Sequence, residues 1–157
     1  MWKGRFAQDT DEAVINFTQS LDLDWRMAFA DIRGSVAHVR MLAHTGLLDA
    51  KEAETIEENL RGIAEEIRSG DFTPKVSLED VHMNIESRLI EKCGATGARL
   101  HMGRSRNDQV AVDTRLYLRR MADEEKAALL ALVRTLVKLA KANTETILPG
   151  YCLLYTS

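Results

Sequence analysis

The sequence predicts an all-α protein, in which a helical N-terminal head is followed by the first long helix of an extended helical bundle. Apolar residues recur along most of the chain at spacings of three and four, the period of a helix that packs along one face. Runs that alternate between apolar and polar residues, as in a half-buried strand, are absent. We place the domain boundary in the glycine-containing stretch 94–103, so that residues 1–103 form the head and residues 104–157 begin the bundle.

The composition is that of an ordinary globular protein. A chain of 157 residues can bury a core without disulfides or a structural metal. With 45% hydrophobic residues, 29% charged residues and a net charge of -3, it resembles neither a disordered chain nor a nucleic-acid-binding protein. Cys93 and Cys152 have neither disulfide-type nor metal-type spacing, which favours a reducing compartment, and no apolar run has signal-peptide or membrane-spanning length. We therefore expect a cytoplasmic protein that binds neither membrane nor nucleic acid.

The first two helices of the head are predicted from their apolar stripes and from residues that start or end helices. The first ends at Gly46, and its stripe consists of Trp25, Phe29, Ile32, Val36, Val39 and Ala43. The second begins at a capping pair, Asp49 and Glu52, and ends at Gly70. Its stripe consists of Ile56, Leu60, Ile63 and Ile67.

A third helix and a much longer fourth one follow a break at a proline. Ser77 and Asp80 form the capping pair of the third helix, which ends near Gly94 and carries the apolar positions Leu78, Val81, Ile85 and Leu89. The long helix runs from about Ser105 to about Asn143. Its stripe consists of Leu129, Leu132, Val133, Leu136, Val137 and Ala140. Such a length is typical of helical bundles, which are often oligomeric.

Polar and cationic residues crowd the start of the long helix, in residues 101–109. Ser105 followed by Asp108 has the spacing of an N-cap and its partner, and the amides of a helix's first turn attract anions such as carboxylates. Two neighbouring arginines strengthen this interpretation. A capped helix start on the surface is the alternative, and it accounts for Ser105 and Asp108 equally well. It leaves unexplained the crowding of Arg104, Arg106, Asn107 and Gln109 around the same turn.

Asp80, His82 and Glu86 share one face of the third helix and raise the question of a metal. Metal ligation fails on count, because no cysteine pair, second spaced histidine or HExxH arrangement accompanies them. Gly94 and Gly97 follow a helix rather than a strand and have neither dinucleotide-binding nor Walker spacing. We therefore expect no metal and no nucleotide or redox cofactor.

The run from Gly103 to Gln109, GRSRNDQ, resembles a signature segment of the argininosuccinate lyase family, within the wider fumarase and aspartase superfamily. Further segments resemble the same family in family order: residues 2–6 (WKGRF), 17–35 (FTQSLDLDWRMAFADIRGS), 80–89 (DVHMNIESRL), 94–100 (GATGARL) and 147–151 (ILPGY). The resemblance covers nearly the whole chain as far as Tyr151. A chance match of so many ordered segments is hard to sustain.

The resemblance implies an enzyme that splits argininosuccinate reversibly into arginine and fumarate by beta-elimination. A base removes a proton next to a carboxylate, negative charge builds up on that carboxylate, and fixed donors and positive charge stabilise this state. The substrate contacts that it implies are Ser20, Asp24, Ser105, Arg106 and Asn107, with Asp24 reading the arginine end. Without the resemblance, Ser20 and Asp24 would be interpreted as polar residues at helix ends. Arg104, Asp108 and Gln109 would complete the anion-binding helix start, and Asp80, His82 and Glu86 would line or support the site.

After Tyr151 the sequence departs from the family pattern. The family continues with threonine, histidine, leucine and glutamine, and that histidine has a role in proton transfer. This chain reads Cys152, Leu153, Leu154 and Tyr155, of which only Leu154 agrees. The family's catalytic serine lies further on, in a loop beyond this sequence. We therefore expect no useful lyase activity from this chain alone, and the resemblance implies a homotetramer for the full-length form.

Three alternatives stay open at this point. One is a non-catalytic structural relative, as the lens delta-crystallins of this family are, and the second is an adenylosuccinate-type lyase. The GRSRNDQ and DVHMNIESRL segments resemble the argininosuccinate branch more closely. A generic helical interaction module, the third alternative, would leave the polar run at residues 104–109 without a role.

Overall fold

The computed structural model describes residues 11–147, and every regular element in that range is helical. The α-helices in chain order are α1 (Glu12–Thr18), α2 (Leu21–Asp24), α3 (Ala28–His44), α4 (Ala50–Ser69), α5 (Val81–Cys93), α6 (Ala95–Ala98) and α7 (Arg106–Ala142). Short 3-10 helices cover Trp25–Met27, Val76–Leu78 and Arg99–His101. The predicted all-α class is confirmed. Residues 2–6 and 148–151, on which part of the resemblance depends, lie outside the described residues, as does the departure from the family at residues 152–155.

The chain divides into two compact units, and the division falls inside α7 between Tyr117 and Leu118. The second unit consists of the rest of α7 and the residues after it. Its predicted apolar stripe lies in solvent, with Leu129, Leu132, Val133, Leu136 and Val137 between 46% and 63% exposed. Within residues 11–147, no helix combines the length and the apolar character needed to span a bilayer. The domain boundary at residues 103 and 104 stays a prediction.

The core of the first unit lies where α3, α4 and α5 pack against one another. Its central side chains are at most 6% exposed: Ile32, Val39, Leu42, Ile56, Leu60, Ile63, Val81, Ile85 and Leu89. Burying a side chain of this size contributes about 1.5–3 kcal/mol relative to leaving it in water. The second predicted stripe is therefore confirmed as core at Ile56, Leu60 and Ile63, and the third at Val81, Ile85 and Leu89. Ile67 is only partly buried, and Leu78 lies in the 3-10 helix before α5 and is half-buried.

The buried face of α3 is turned by about one residue from the predicted stripe. Phe29 was expected in that stripe, but it is 38% exposed, and its ring lies 5.6 Å from the guanidinium carbon of Arg68. The buried residues of α3 are Ala28, Asp31, Ile32, Ser35, Val39 and Leu42. The predicted stripe was displaced because it was chosen from apolar residues alone, whereas the polar residues Asp31 and Ser35 are also buried.

The helix starts follow the predicted capping residues in α4 and differ in one detail in α5. The carboxylate of Asp49 accepts a hydrogen bond from the N–H of Glu52 at 2.8 Å, and Glu52 accepts one from the N–H of Asp49 at 3.4 Å. This is the predicted capping box. Ser77, however, lies in the 3-10 helix before α5. Asp80 is itself the N-cap of α5 and accepts a hydrogen bond from the N–H of Met83 at 2.6 Å.

A buried asparagine fixes the loop that leads into α5. Asn84 is 2% exposed, and its Oδ1 accepts a hydrogen bond from the N–H of Lys75 at 2.7 Å. Its Nδ2 donates to the backbone oxygens of Lys75 at 3.1 Å and of Asp80 at 2.9 Å. The loop is therefore held at both ends by one side chain, which sets the position of Asp80 at the helix start.

Glu66 on α4 joins this helix to α5 through two cations. The Nε of Arg88 lies 2.9 Å from Glu66 Oε2, and the Nζ of Lys92 lies 2.6 Å from Glu66 Oε1. The hydrogen bonds from Arg88 and then from Lys92 lower the pKa of Glu66 from 4.5 to about 2. The carboxylate therefore favours the folded state as long as it is ionised.

We expect Glu66→Gln to lower the free energy of unfolding by about 0.5–1 kcal/mol at neutral pH, as for other ion pairs near the surface. Because the folded-state pKa is the lower one, this contribution is present above pH 4.5 and is lost as the pH falls towards 2. Urea unfolding at several pH values measures it. Glu65→Gln is the matched control, since it removes only the exposed pair of Glu65 with Arg68 on the same helix. A wild-type advantage that does not shrink below pH 4.5 would refute the assignment.

Candidate functional site

Residues 105–109 form a capped turn at the start of α7. The Oγ of Ser105 accepts a hydrogen bond from the N–H of Asn107 at 3.2 Å, and the carboxylate of Asp108 accepts one from the N–H of Ser105 at 3.0 Å. The predicted capping pair is therefore confirmed, although Ser105 caps the N–H of Asn107 rather than that of Asp108. Ser105 and Asn107 are exposed, whereas Gln109 is 5% exposed. The turn thus has an outer face towards solvent and an inner face towards the core.

Arg106 lies between this turn and the start of α5. Its Nη1 donates to Gln109 Oε1 at 2.7 Å. Its Nε lies 3.3 Å from Asp80 Oδ2, and its Nη2 lies 3.9 Å from Glu86 Oε2. Both of these distances exceed the about 2.7–2.9 Å of a tight charge-assisted hydrogen bond. The fold therefore brings four of the predicted site residues together, and the two acids offset the guanidinium charge without binding it tightly.

Ser20, the residue before α2, and Asp24, the last residue of α2, lie next to the start of α5. The Oγ of Ser20 donates to Asp24 Oδ2 at 2.7 Å, and the N–H of Val81 donates to Asp24 Oδ1 at 3.1 Å. The N–H of Ser20 donates to the backbone oxygen of Glu79 at 2.9 Å. Asp24 is 8% exposed, and both of its carboxylate oxygens already accept hydrogen bonds. Its part in reading the arginine end of a substrate stays a prediction.

A buried polar cluster beneath the turn joins α3, α5 and α7. Asp31 Oδ1 accepts hydrogen bonds from His82 Nδ1 and from Gln109 Nε2, both at 2.9 Å. His82 Nδ1 also lies 3.4 Å from Asp113 Oδ2. All four residues are at most 5% exposed. His82 and Gln109 were singled out in the sequence, but Asp31 and Asp113 were not, because aspartates on helices are mostly exposed.

The two carboxyl groups of the cluster differ in their affinity for a proton. Burial raises the pKa of Asp113, and the charge and hydrogen bonding of Asp31 raise it further, to about 7. Burial also acts to raise the pKa of Asp31, but the hydrogen bond from His82 and the charge of His82 outweigh burial and lower it. Burial acts to lower the pKa of His82, but hydrogen bonding with Asp31 and the Asp31 charge raise it. The arrangement can hold one proton between two carboxylates.

Arg104 places a guanidinium beside this cluster. Its Nη1 donates to the Oγ of Ser35 at 3.1 Å, and Ser35 is 1% exposed. Its Nε is buried and has no hydrogen-bond partner among the described residues. Burial lowers the pKa of Arg104, while the charges of Asp31 and Asp113 act in the opposite direction. The positive charge of Arg104 therefore acts on the buried carboxylates and not only on the outer face of the turn.

The cluster also has a spacing that would suit a metal ion. The ligating atoms of Asp31, His82 and Asp113 lie within 4.8 Å of one another. The expectation of no metal depends on missing cysteines and on a missing second histidine, and it does not take these two carboxylates into account. Within the cluster, however, His82 Nδ1 donates to Asp31 Oδ1 and Arg104 supplies positive charge. We assign these residues to internal hydrogen bonding, and the absence of a metal stays a prediction.

Comparison with known proteins gives a family match over most of the chain. The model of a family described as Lyase matches residues 4–156. The argininosuccinate lyase of Hahella chejuensis is 52% identical over 157 residues, which are 100% of this chain and 34% of that protein. The argininosuccinate lyases of Geobacter sulfurreducens and Acinetobacter baylyi are 51% and 50% identical over 157 residues, covering 34% and 33% of their own lengths. The chain thus spans about a third of the length of these curated relatives.

Proposed function

The chain belongs to the lyase family, and we propose that it forms the N-terminal part of an argininosuccinate lyase. This enzyme would split argininosuccinate into arginine and fumarate by reversible beta-elimination, a step of arginine biosynthesis. The relatives that align with the whole chain at 52% and 51% identity carry that name. Because the chain spans 34% of their length, the activity belongs to the longer protein, and we expect this chain alone to be inactive.

The observation that carries the proposal is the capped turn at the start of α7. Ser105 and Asn107 lie on its exposed outer face, and the half-buried Arg106 adds a positive charge whose contacts to acids are long. The positive end of the helix dipole points to the same place. We propose that these three residues contact a carboxylate of the succinyl group. Three further residues support them: Arg104 adds positive charge, Asp108 accepts from the N–H of Ser105, and Gln109 accepts from the guanidinium of Arg106.

This arrangement suits a reaction in which negative charge gathers on a carboxylate. Donors held in place before the reaction starts need no reorganisation when the charge appears, and one such donor is worth about 10²- to 10³-fold in rate. The hydroxyl of Ser105, the amide of Asn107 and the guanidinium of Arg106 are donors of this kind. The base and the acid that move protons would come from other parts of the longer protein.

The residues around the start of α5 form a second part of the proposed site. Ser20 and Asp24 would contact the substrate, with Asp24 reading its arginine end. Asp80, His82 and Glu86 would support the site. Their grouping favours this proposal, since Asp80 and Glu86 face Arg106 and Val81 connects Asp24 to the same helix start.

We further propose that the longer protein is a cytoplasmic homotetramer. The second unit supports an oligomer, because the apolar stripe of α7, in which Leu129 is 63% exposed, forms the kind of surface that needs a partner. The two cysteines without disulfide-type spacing favour a reducing compartment. In the family that the sequence resembles, each active site is built from segments of different subunits, and we propose the same for the longer protein.

A lyase assay on the complete gene product tests the proposed function. We expect the protein to form fumarate from argininosuccinate, which ultraviolet absorbance detects. We expect no turnover of adenylosuccinate, the control substrate. Turnover of adenylosuccinate alone would instead identify the protein as an adenylosuccinate-type lyase. A folded, oligomeric product that turns over neither substrate would overturn the proposal in favour of a structural relative.

A further inference from the structure

In the buried cluster under the turn, Asp31, His82 and Gln109 form side-chain hydrogen bonds that packing between helices does not require. Asp31 Oδ1 accepts from two donors, His82 Nδ1 and Gln109 Nε2, each at 2.9 Å. Asp113 Oδ2, in contrast, is buried without a hydrogen-bond partner among the described residues, with His82 Nδ1 3.4 Å away. The asymmetry indicates an ionised Asp31 and a protonated Asp113, whose hydroxyl can donate to the Asp31 carboxylate. Two ionised carboxylates with oxygens within 4.8 Å of each other, in a site 1–2% exposed, would repel each other strongly.

Gln109 connects this cluster to the outer face of the turn. Its Nε2 donates to Asp31, and its Oε1 accepts from Arg106 Nη1 at 2.7 Å. The orientation of the Arg106 guanidinium therefore depends on Asp31 through a single side chain. Arg104 is coupled to the same acids by charge and to α3 through its hydrogen bond to Ser35.

We propose that Asp31, His82 and Asp113 are positioning residues, which share one proton between the two carboxylates and thereby hold Gln109 and Arg106 in the orientation that the turn at residues 105–107 requires. None of the three reaches the outer face, so they act through Gln109. Any effect of the shared proton on substrate binding rests on the proposed function. The shared proton and its coupling to the turn do not.

The proposal makes the turn sensitive to pH near neutrality. Asp113 releases its proton at about pH 7, because burial and the neighbouring Asp31 raise its pKa from 3.8. A group whose pKa is raised by folding stabilises the fold below its ordinary pKa, and this contribution is lost as the pH rises through the folded-state value. The charged groups that face the cluster are Asp31 on α3, Asp80, His82 and Glu86 on α5, and Arg104 and Arg106 at the start of α7. His82 is the one whose titration must be told apart from that of Asp113.

Carbon-13 and nitrogen-15 NMR of the 157-residue chain between about pH 4 and about pH 9 tests the proposal. We expect the carboxyl carbon of Asp113 to titrate with a midpoint near 7, against an ordinary 3.8. The backbone amides of Ser105 to Asn107 and the side-chain amide of Gln109 should shift with the same midpoint. An Asp113 titration midpoint near 3.8 would overturn the proposal, and so would amide signals of the turn that do not shift as Asp113 titrates.

Asp113→Asn separates the shared proton from the titration of His82. Asparagine keeps a donor for Asp31 but has no proton to lose, so the turn signals should stay at their low-pH positions over the whole range. Turn signals that still titrate together with the His82 imidazole would instead assign the coupling to His82 and overturn the shared proton. If the variant does not fold, the wild-type titration decides by itself. The measurement uses no substrate, so a failed lyase assay and a failed titration are distinct results.

Discussion

Replacing Asp31 with alanine is expected to lower the free energy of unfolding of the chain by about 3–5 kcal/mol, the cost of removing one partner from a buried charged cluster. The change leaves His82 Nδ1 and Gln109 Nε2 without the acceptor that both now bind at 2.9 Å. It also leaves Arg104 facing one fewer carboxylate in a buried position. Urea unfolding near pH 6, monitored by circular dichroism, measures this loss. It would be a large part of the total free energy of unfolding, which is usually about 5–15 kcal/mol.

Asp31→Asn is the matched variant for this measurement. It keeps an oxygen acceptor of the same shape and removes the charge, so its loss should lie clearly between those of the wild type and the alanine variant. Ile63→Val, in the core of α4, reports an ordinary packing defect of about 0.5–1.5 kcal/mol. An alanine variant no less stable than the Ile63→Val protein would mean that the cluster does not contribute as described.

Replacing Asn107 with alanine in the complete protein is expected to lower kcat/KM for argininosuccinate by about 10²- to 10³-fold, as for other single donors at a developing negative charge. The capping contact uses the backbone N–H of Asn107, so the substitution leaves the turn in place. The loss should appear in kcat as well as in kcat/KM, because the donor acts mainly on the transition state. Steady-state fumarate formation measures both constants.

Asn143→Ala is the control for the Asn107 substitution. It removes an exposed amide just after α7, whose Nδ2 donates to the backbone oxygen of Leu139 and whose Oδ1 accepts from the hydroxyl of Thr146. We expect its kinetic constants to remain within about twofold of the wild type, as is usual for surface changes outside a site. Wild-type turnover by Asn107→Ala would remove Asn107 from the proposed site.

The local features of the fold follow directly from the sequence. The α4 helix is an example, because its capping box and its stripe of Ile56, Leu60 and Ile63 involve residues only a few positions apart. The capped start of α7 is predictable for the same reason. Hydrogen bonds between neighbours along the chain leave a spacing that can be recognised without knowing the tertiary structure.

The buried cluster could not be predicted in this way. The hydrogen bond of His82 to Asp31 joins residues 51 positions apart, and that of Gln109 to Asp31 joins residues 78 positions apart. No periodicity along one helix encodes such a contact. The one available signal was positional, since Asp31 lies beside Ile32 on the inward side of α3 and Asp113 lies one helical turn after Gln109. An acid at a core-facing position indicates a buried partner.

Gly34 stands in the interior of α3, where glycine is less favourable than alanine by about 1 kcal/mol. Its backbone is not left-handed, so conformational freedom does not explain it. A Cβ at this position would lie 3.1 Å from Asp113 Oδ1 and 3.5 Å from Val112 Cγ1. The missing methyl group is therefore the clearance that lets an acid from α7 lie against the backbone of α3. The helix gives up intrinsic stability at this residue, and a methyl group at position 34 would require the Asp113 carboxylate to move by a few tenths of an ångström.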